Sequence, residues 1–329
     1  MSPRIRRAAL AFLALSLVPT WLPTWLPTWL PTWLPTAALA APPQTQYRTV
    51  DVDGVKIFYR EAGDPKRPAI LLLHGFPSSS HMFRALIPLL ADRYHLVAPD
   101  YPGFGFSDAP DRAQFAYTFE HVSEVIGRFT ERVGLAHYAM YILDYGAPIG
   151  FRLALAHPER ITAIVSQNGN AYLDGLSPNF NRSRRDREAL RPALTPAANQ
   201  RRYFTGVSEA DRARVAPESF TLDDALMARP GIAELQLDLL ADYGSNIEQY
   251  DAYQAYLRKR QPPLLAIWGK NDTTFLPAGA EAFRRDLPRA EIRLLDAGHF
   301  ALETHSAEIA QAMRAFLARN LKAEPARGQ

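Results

Sequence analysis

Apolar positions between residues 50 and 165 fall into two alternating rhythms. Val50 to Arg60 alternates apolar with polar residues around Asp53-Gly54, which predicts an antiparallel hairpin. Ala69 to Leu73 is a short unbroken apolar run, the pattern of a strand covered on both faces, and Tyr94 to Ala98, Tyr138 to Leu143 and Ile161 to Val165 are further strand-like stretches. Between these runs the spacing becomes helical: Phe83 to Leu90, Tyr117 to Val133 ahead of Gly134, and Gly146 to Ala156 ahead of His157-Pro158. Strand alternating with helix predicts an α/β chain with a parallel, doubly wound sheet.

The rhythm breaks at about Asn170. From there to Arg260 the spacing is mostly helical, with many arginines and tyrosines. The alternation resumes with Leu264 to Trp268 (strand), Ala278 to Leu287 (helix), Ile292 to Leu295 (strand) and Ser306 to Leu321 (helix). The reading is a helical cap over residues 170–260, inserted after the sixth strand, between core blocks 41–169 and 261–329.

The first forty residues stand apart. Arg4, Arg6 and Arg7 precede the apolar run Ala8 to Val18, and the small residues Ala38-Leu39-Ala40-Ala41 follow later. A charged start, an apolar stretch and an A-x-A site form the pattern of a secretory signal peptide, with cleavage expected after Ala40 and a secreted or periplasmic destination. Between them Pro-Thr-Trp-Leu repeats four times from Pro19 to Leu34. Proline at every fourth position removes amide donors and clashes with the preceding turn, so no stable membrane span is expected there. The repeat is read as a spacer, the alternative being an interfacial anchor with tryptophans at headgroup level.

Of the 329 residues, 47% are apolar, enough for a sizeable core. Three of the 37 Lys and Arg lie in the signal-like segment, and the remaining 34 match the 34 Asp and Glu, so the basic balance gives no reason to expect nucleic acid as a partner. The absence of cysteine excludes disulfides, thiolate metal sites and a Cys nucleophile. No cofactor and no metal are called for.

Four local signals carry chemistry. Ile142-Leu143-Asp144-Tyr145-Gly146 lies between a strand and a helix, where a sharp turn presents a nucleophile at its centre. Asp144 is either that nucleophile or a cap for the helix that follows. Ile142 departs from the pattern, because the position two before the nucleophile is usually small. His74-Gly75-Phe76-Pro77 follows a buried strand, so the Phe76 amide, with that of Tyr145, is a candidate oxyanion hole, while His74 reads as structural. Asp272 in Trp268-Gly269-Lys270-Asn271-Asp272 and His299 in Asp296-Ala297-Gly298-His299-Phe300 each follow a strand, at the edge where open α/β sheets bind ligands.

Together these motifs resemble the α/β-hydrolase fold, in the branch with an Asp nucleophile that contains epoxide hydrolases and haloalkane dehalogenases. The resemblance runs from about Tyr47 to Leu321. It includes Asp100-Tyr101-Pro102-Gly103-Phe104-Gly105-Phe106-Ser107, similar to the family's loop after the fourth strand, and the chain order nucleophile, acid, histidine. It implies a small apolar organic substrate and water. Asp144 would attack a saturated carbon to form an alkyl ester, and His299, oriented by Asp272, would activate water to cleave it. In related enzymes the acid can instead follow the sixth strand; here that place reads Gln167-Asn168-Gly169-Asn170, without a carboxylate.

The leaving group divides the branch. Dehalogenases supply indole donors to a halide, but four of the five tryptophans lie in the repeat and Trp268 lies in a strand. Epoxide hydrolases supply cap tyrosines, and this cap has several. Tyr250 is expected first and Tyr243 second, with Tyr203 or Tyr172 as partner, although Tyr250, Tyr253 and Tyr256 also fit packing along one helix face. Arg182, Arg184, Arg185 and Arg187, interleaved with Asp186 and Glu188, read as a solvated face that alternatively steers an anionic substrate. The leading expectation is epoxide hydrolysis to a vicinal diol. Dehalogenation of a haloalkane or haloacid is the alternative, and a non-catalytic binding protein on a hydrolase scaffold is a further one.

Overall fold

The computed structural model describes residues 44–178, 180 and 186–321. The signal-like segment and its repeat, and Arg182, Arg184 and Arg185, lie outside the described residues.

One sheet of eight strands organises the chain: β1 (Gln46–Val52), β2 (Val55–Ala62), β3 (Ala69–Leu73), β4 (His95–Pro99), β5 (Tyr138–Leu143), β6 (Ile161–Gln167), β7 (Leu264–Gly269) and β8 (Glu291–Leu295). Their spatial order is β1-β2-β4-β3-β5-β6-β7-β8. β1 and β2 form the expected hairpin, with Asp53 and Gly54 both at positive φ in the turn, and β2 pairs antiparallel with β4. Every other pairing is parallel.

The helices are α1 (Phe119–Arg132), α2 (Gly146–Ala156), α3 (Pro196–Phe204), α4 (Pro217–Met227), α5 (Ile232–Glu248), α6 (Tyr250–Arg260), α7 (Pro277–Asp286) and α8 (Ala301–Asn320). They cover both faces, so successive residues of one strand serve two cores. Leu71 and Leu73 join Ile126, Phe129 and Phe151 on one side, whereas Ile70 and Leu72 join Ile309, Met313 and Phe316 of α8 on the other. That double burial is why β3 and β5 read as unbroken apolar runs. α3 to α6 lie between β6 and β7 in the chain.

Two expectations need correction. Phe83 to Leu90 is not a helix but two short 3-10 turns, Ser80–Phe83 and Ile87–Leu89. Pro88 offers no amide and would clash with the carbonyl four residues back, so helical spacing does not become a helix. α8 begins at Ala301 rather than Ser306, with a non-helical residue at His305. The first turn was hidden because the kink resets the spacing. Arg187 donates to Glu234 at 2.5 Å and to Asp238 at 2.9 Å, so this member of the arginine run is bound into a part-exposed charge network.

Candidate active site

Four adjacent strands bring their carboxyl ends together. Asp144 follows β5, Asn168 follows β6, Asp272 follows β7 and His299 follows β8. Asp144 sits at φ +51, the left-handed region that a non-glycine residue enters only under constraint. The constraint is crowding at the turn. A Cβ on Gly146 would meet the Leu73 carbonyl oxygen at 2.2 Å, and one on Gly75 would meet the Asp144 Cβ at 2.4 Å. The unexpected Ile142 is accommodated from α2: a Cβ on Gly150 would lie 2.6 Å from Ile142 Cγ2. The small residue this turn needs therefore sits opposite the usual position.

The Phe76 amide donates to Asp144 Oδ1 at 2.8 Å, and the Tyr145 amide also favours the charged carboxylate. The other oxygen, Oδ2, lies 3.5 Å from His299 Nε2. On the far side of the ring, His299 Nδ1 is 2.7 Å from Asp272 Oδ2. Asp272 is fixed in turn by three donors: the amides of Thr274 (2.7 Å) and Phe275 (3.2 Å) to Oδ1, and Asn168 Nδ2 (2.7 Å) to Oδ2. The predicted Asp144, His299, Asp272, Phe76 and Tyr145 are thus brought together, and all five line one cavity of about 340 Å³.

Burial alone would raise the Asp144 carboxyl, but the His299 ring and the two amides outweigh it and hold the group below the usual carboxylate range. Burial would likewise lower His299, but Asp272 and Asp144 on either side outweigh it and raise the imidazole well above its ordinary value. His74 is different. It is fully buried, stacked on Tyr101 with centroids 3.8 Å apart, and burial pushes it down to about 3, so it stays neutral. Its Nε2 accepts from the Tyr101 amide at 3.3 Å, and the Tyr101 hydroxyl donates to its carbonyl at 2.8 Å, which makes it a brace between two loops.

The cap tyrosines depart from expectation. Tyr250 is turned to Asn170, whose Nδ2 donates to its hydroxyl at 3.1 Å, and it borders a separate surface pocket with Leu173 and Asp251. Tyr172 donates to Asp286 at 2.8 Å, Tyr203 donates to Asp223 at 2.5 Å, and Tyr253 accepts from Arg152 at 2.7 Å. None of the four is among the residues lining this cavity. Tyr243 stands one ring behind its wall, packed on Tyr145 and Phe180 with centroids 6.0 and 5.0 Å away. The Trp268 indole donates to the Phe275 carbonyl at 2.8 Å inside the core and does not reach the cavity.

The sequence reading missed three residues. Asn168 lacks the carboxylate that related enzymes can carry after the sixth strand, yet its side chain joins β6 to β7, donating to Asp272 and accepting from the Gly269 amide at 2.9 Å. Gln167 donates to the His299 carbonyl at 2.9 Å and so holds the histidine loop. Arg202 of α3 lines the cavity, and nothing in its sequence neighbourhood distinguishes it from the cap's other arginines. A larger groove of about 680 Å³, bordered by Glu120, Glu124, Glu131 and Glu248, contains none of the predicted site residues.

A tight strand-to-helix turn, a carboxylate in an amide pair and a hydrogen-bonded His–Asp pair on an eight-stranded sheet define the class. The family profile described as alpha/beta hydrolase fold matches residues 68–306, and the chain belongs to that family and is a hydrolase. An uncharacterized hydrolase of Saccharomyces cerevisiae is 46% identical over 280 residues, 82% of this chain and 95% of its own. Haloalkane dehalogenase 2 of Mycobacterium tuberculosis is 32% identical over 243 residues, 70% of this chain and 79% of its own. Epoxide hydrolase A of the same species is 34% identical over 120 residues, 36% of this chain and 37% of its own. Among solved structures, Cfl2 of Burkholderia cenocepacia superposes with a TM-score of 0.68 at 25% identity, over 83% of this chain and 95% of that one.

Proposed function

We propose that this hydrolase opens epoxides to vicinal diols through an ester on Asp144. The observation that carries the reading is the divided carboxylate: Oδ1 held by the Phe76 amide, Oδ2 facing His299 Nε2 at 3.5 Å. A carboxylate attacking an acyl carbon gives an anhydride, whereas attack on saturated carbon gives an ester that water can cleave. Oδ2 forms the bond to carbon as the ring C–O bond breaks, and the departing oxygen takes a proton from an acid. Tyr243 is assigned that role from behind the cavity wall, because its ring packs on the wall residues Tyr145 and Phe180, whereas Tyr250 borders a separate pocket. The His299 proton then restores the phenol. Esterification removes one of the two charges that keep His299 protonated, which favours the neutral base needed next. Neutral His299 takes a proton from water, the hydroxide adds to the ester carbonyl, and the oxyanion rests on the Phe76 and Tyr145 amides. Collapse returns the His299 proton to the diol oxygen, and the Asp144 carboxyl proton passes back to His299. The pattern from Arg4 to Ala40 supports export of the enzyme.

The test is isotopic. One turnover in heavy-oxygen water places label in the Asp144 side chain, and His299→Gln accumulates a protein heavier by the mass of the substrate. An unlabelled Asp144 together with full activity of Asp144→Asn removes the covalent route. Halide release is the second reading, favoured by the dehalogenase relative, and diol and halide assayed in parallel separate the two.

A further inference from the structure

We propose that the cavity contains a subsite for a carboxylate on the substrate, with the Arg202 guanidinium as its receptor. The proposal rests on the alkyl-ester reading above and adds a substrate class: small epoxides that carry a carboxylate near the reactive carbon.

Arg202 is the one Arg or Lys among the described residues lining the cavity. Its guanidinium is fixed by neutral groups alone. Nη1 donates to Asn199 Oδ1 at 2.7 Å, Nη2 donates to the Ala193 carbonyl at 2.7 Å, and the carbon lies 5.0 Å from the centroid of the Phe76 ring. Asn199 is itself held, donating to Asp224 Oδ1 at 2.7 Å, so the cation is aimed by a braced amide. Among the described residues no carboxylate bonds or pairs with Arg202. Other arginines of the chain contrast with it: Arg187 engages Glu234 and Asp238, Arg84 engages Glu303, and Arg258 engages Asp286.

A guanidinium has five N–H donors in a fixed fork, and the bonds to Asn199 and Ala193 use two of them, which leaves capacity for a planar anion. Partial burial without a hydrogen-bonded counter-charge is costly: burial lowers the affinity of Arg202 for its proton, and Tyr145 and the negative Asp144 offset this only from a distance. An incoming carboxylate supplies the missing partner. It also outlasts the first step, since esterified Asp144 no longer offers a charge to Arg202 whereas the substrate carboxylate still does. The aromatic and aliphatic wall of Phe76, Phe180, Leu190, Leu240 and Phe300 is left for the carbon skeleton. Charge recognition thus lies in the cap and bond making in the core.

Two measurements test this. The first is calorimetric binding of phenylacetate, which cannot react, to the wild type, Arg202→Gln and Arg202→Lys, each checked for folding by circular dichroism. The second is the kcat/KM ratio of phenylglycidate to phenylglycidamide, a pair differing only in charge. The wild type is expected to bind phenylacetate and prefer the acid. Arg202→Gln lowers the acid-to-amide ratio about 100-fold, chiefly through KM of the acid, and weakens phenylacetate binding to a similar degree. Arg202→Lys, with a point charge instead of a fork, falls between. A wild type that does not bind phenylacetate, or a ratio that both variants leave unchanged, overturns the subsite and reduces Arg202 to a counter-charge for Asp144. Phenylacetate binding that depends on Arg202, with no diol from either glycidic compound, supports the subsite and overturns the epoxide reading instead.

Discussion

Gly150→Ala tests how the turn at Asp144 is held. A Cβ at this position would lie 2.6 Å from Ile142 Cγ2, 3.2 Å from Leu73 Cδ1 and 3.4 Å from Met140 Sδ. The first distance is one that real Cβ atoms do not adopt, so β5 or α2 must move. Overpacking of this kind costs about 1–3 kcal/mol. Replacing a glycine inside a helix gives back about 1 kcal/mol of propensity. The net expectation is a loss of up to about 2 kcal/mol, with slower esterification because Ile142 lies two residues before Asp144. Ile142→Ala by itself costs about 2–5 kcal/mol through the cavity it leaves. On that background the clash has no partner, so Gly150→Ala now stabilises by about 1 kcal/mol. Urea unfolding of the four proteins of the cycle, at constant m-value, reads the reversal as a coupling of about 1–3 kcal/mol. If Gly150→Ala has the same effect in both backgrounds to within about 0.5 kcal/mol, the two residues do not share one space and the account of the Ile142 departure fails.

Two further expectations concern groups away from the reacting atoms. Asp223 is buried on α4 against the Tyr203 hydroxyl, and burial raises its carboxyl from 3.8 to about 7. Below about pH 4 it is protonated in both the folded and unfolded chain and costs nothing; from pH 4 to 7 the unfolded chain ionises first, so stability falls by up to about 4 kcal/mol. Asp223→Asn flattens that decline, and thermal midpoints from pH 4 to 8 parallel to those of the wild type would contradict it. Asn168→Ala strips the Gly269 amide of an acceptor and Asp272 of a donor, for a loss of about 1–3 kcal/mol and roughly tenfold slower ester breakdown. Rapid-quench kinetics check it, and a slowing confined to esterification argues against the assigned place of Asn168.

Much of the core was legible because a parallel sheet covered on both faces writes itself as apolar runs. β3 and β5 match the predicted Ala69 to Leu73 and Tyr138 to Leu143 residue for residue. The hairpin was equally plain, since Asp53-Gly54 suits a turn that needs positive φ at both positions. The Phe83 to Leu90 segment misled because periodicity registers which side chains are apolar, not whether a backbone can close its hydrogen bonds through Pro88. The cap was legible only as helical. Tyr243 on α5 and Tyr250 and Tyr253 on α6 are all buried, in helices that pack on several sides, so spacing does not say which face meets the cavity.

The sequence by itself determined the strand ends and the residue types placed there, because each is a local matter of turn chemistry: a crowded bend at Asp144, a carboxylate after β7 and an imidazole after β8. Their convergence is a property of the sheet. Only the order β5-β6-β7-β8 brings Asp144 within 3.5 Å of His299, more than a hundred residues further along the chain, with Asp272 2.7 Å from the other side of the same ring. The same holds for what no motif announced. Asn168 gains its place because two strand ends are neighbours, Gly150 because a helix folds back over the strand before it, and Arg202 because the cap helix that carries it packs over Phe76. Short-range sterics and hydrogen bonding are encoded along the chain, whereas which groups share a cavity is fixed by long-range packing.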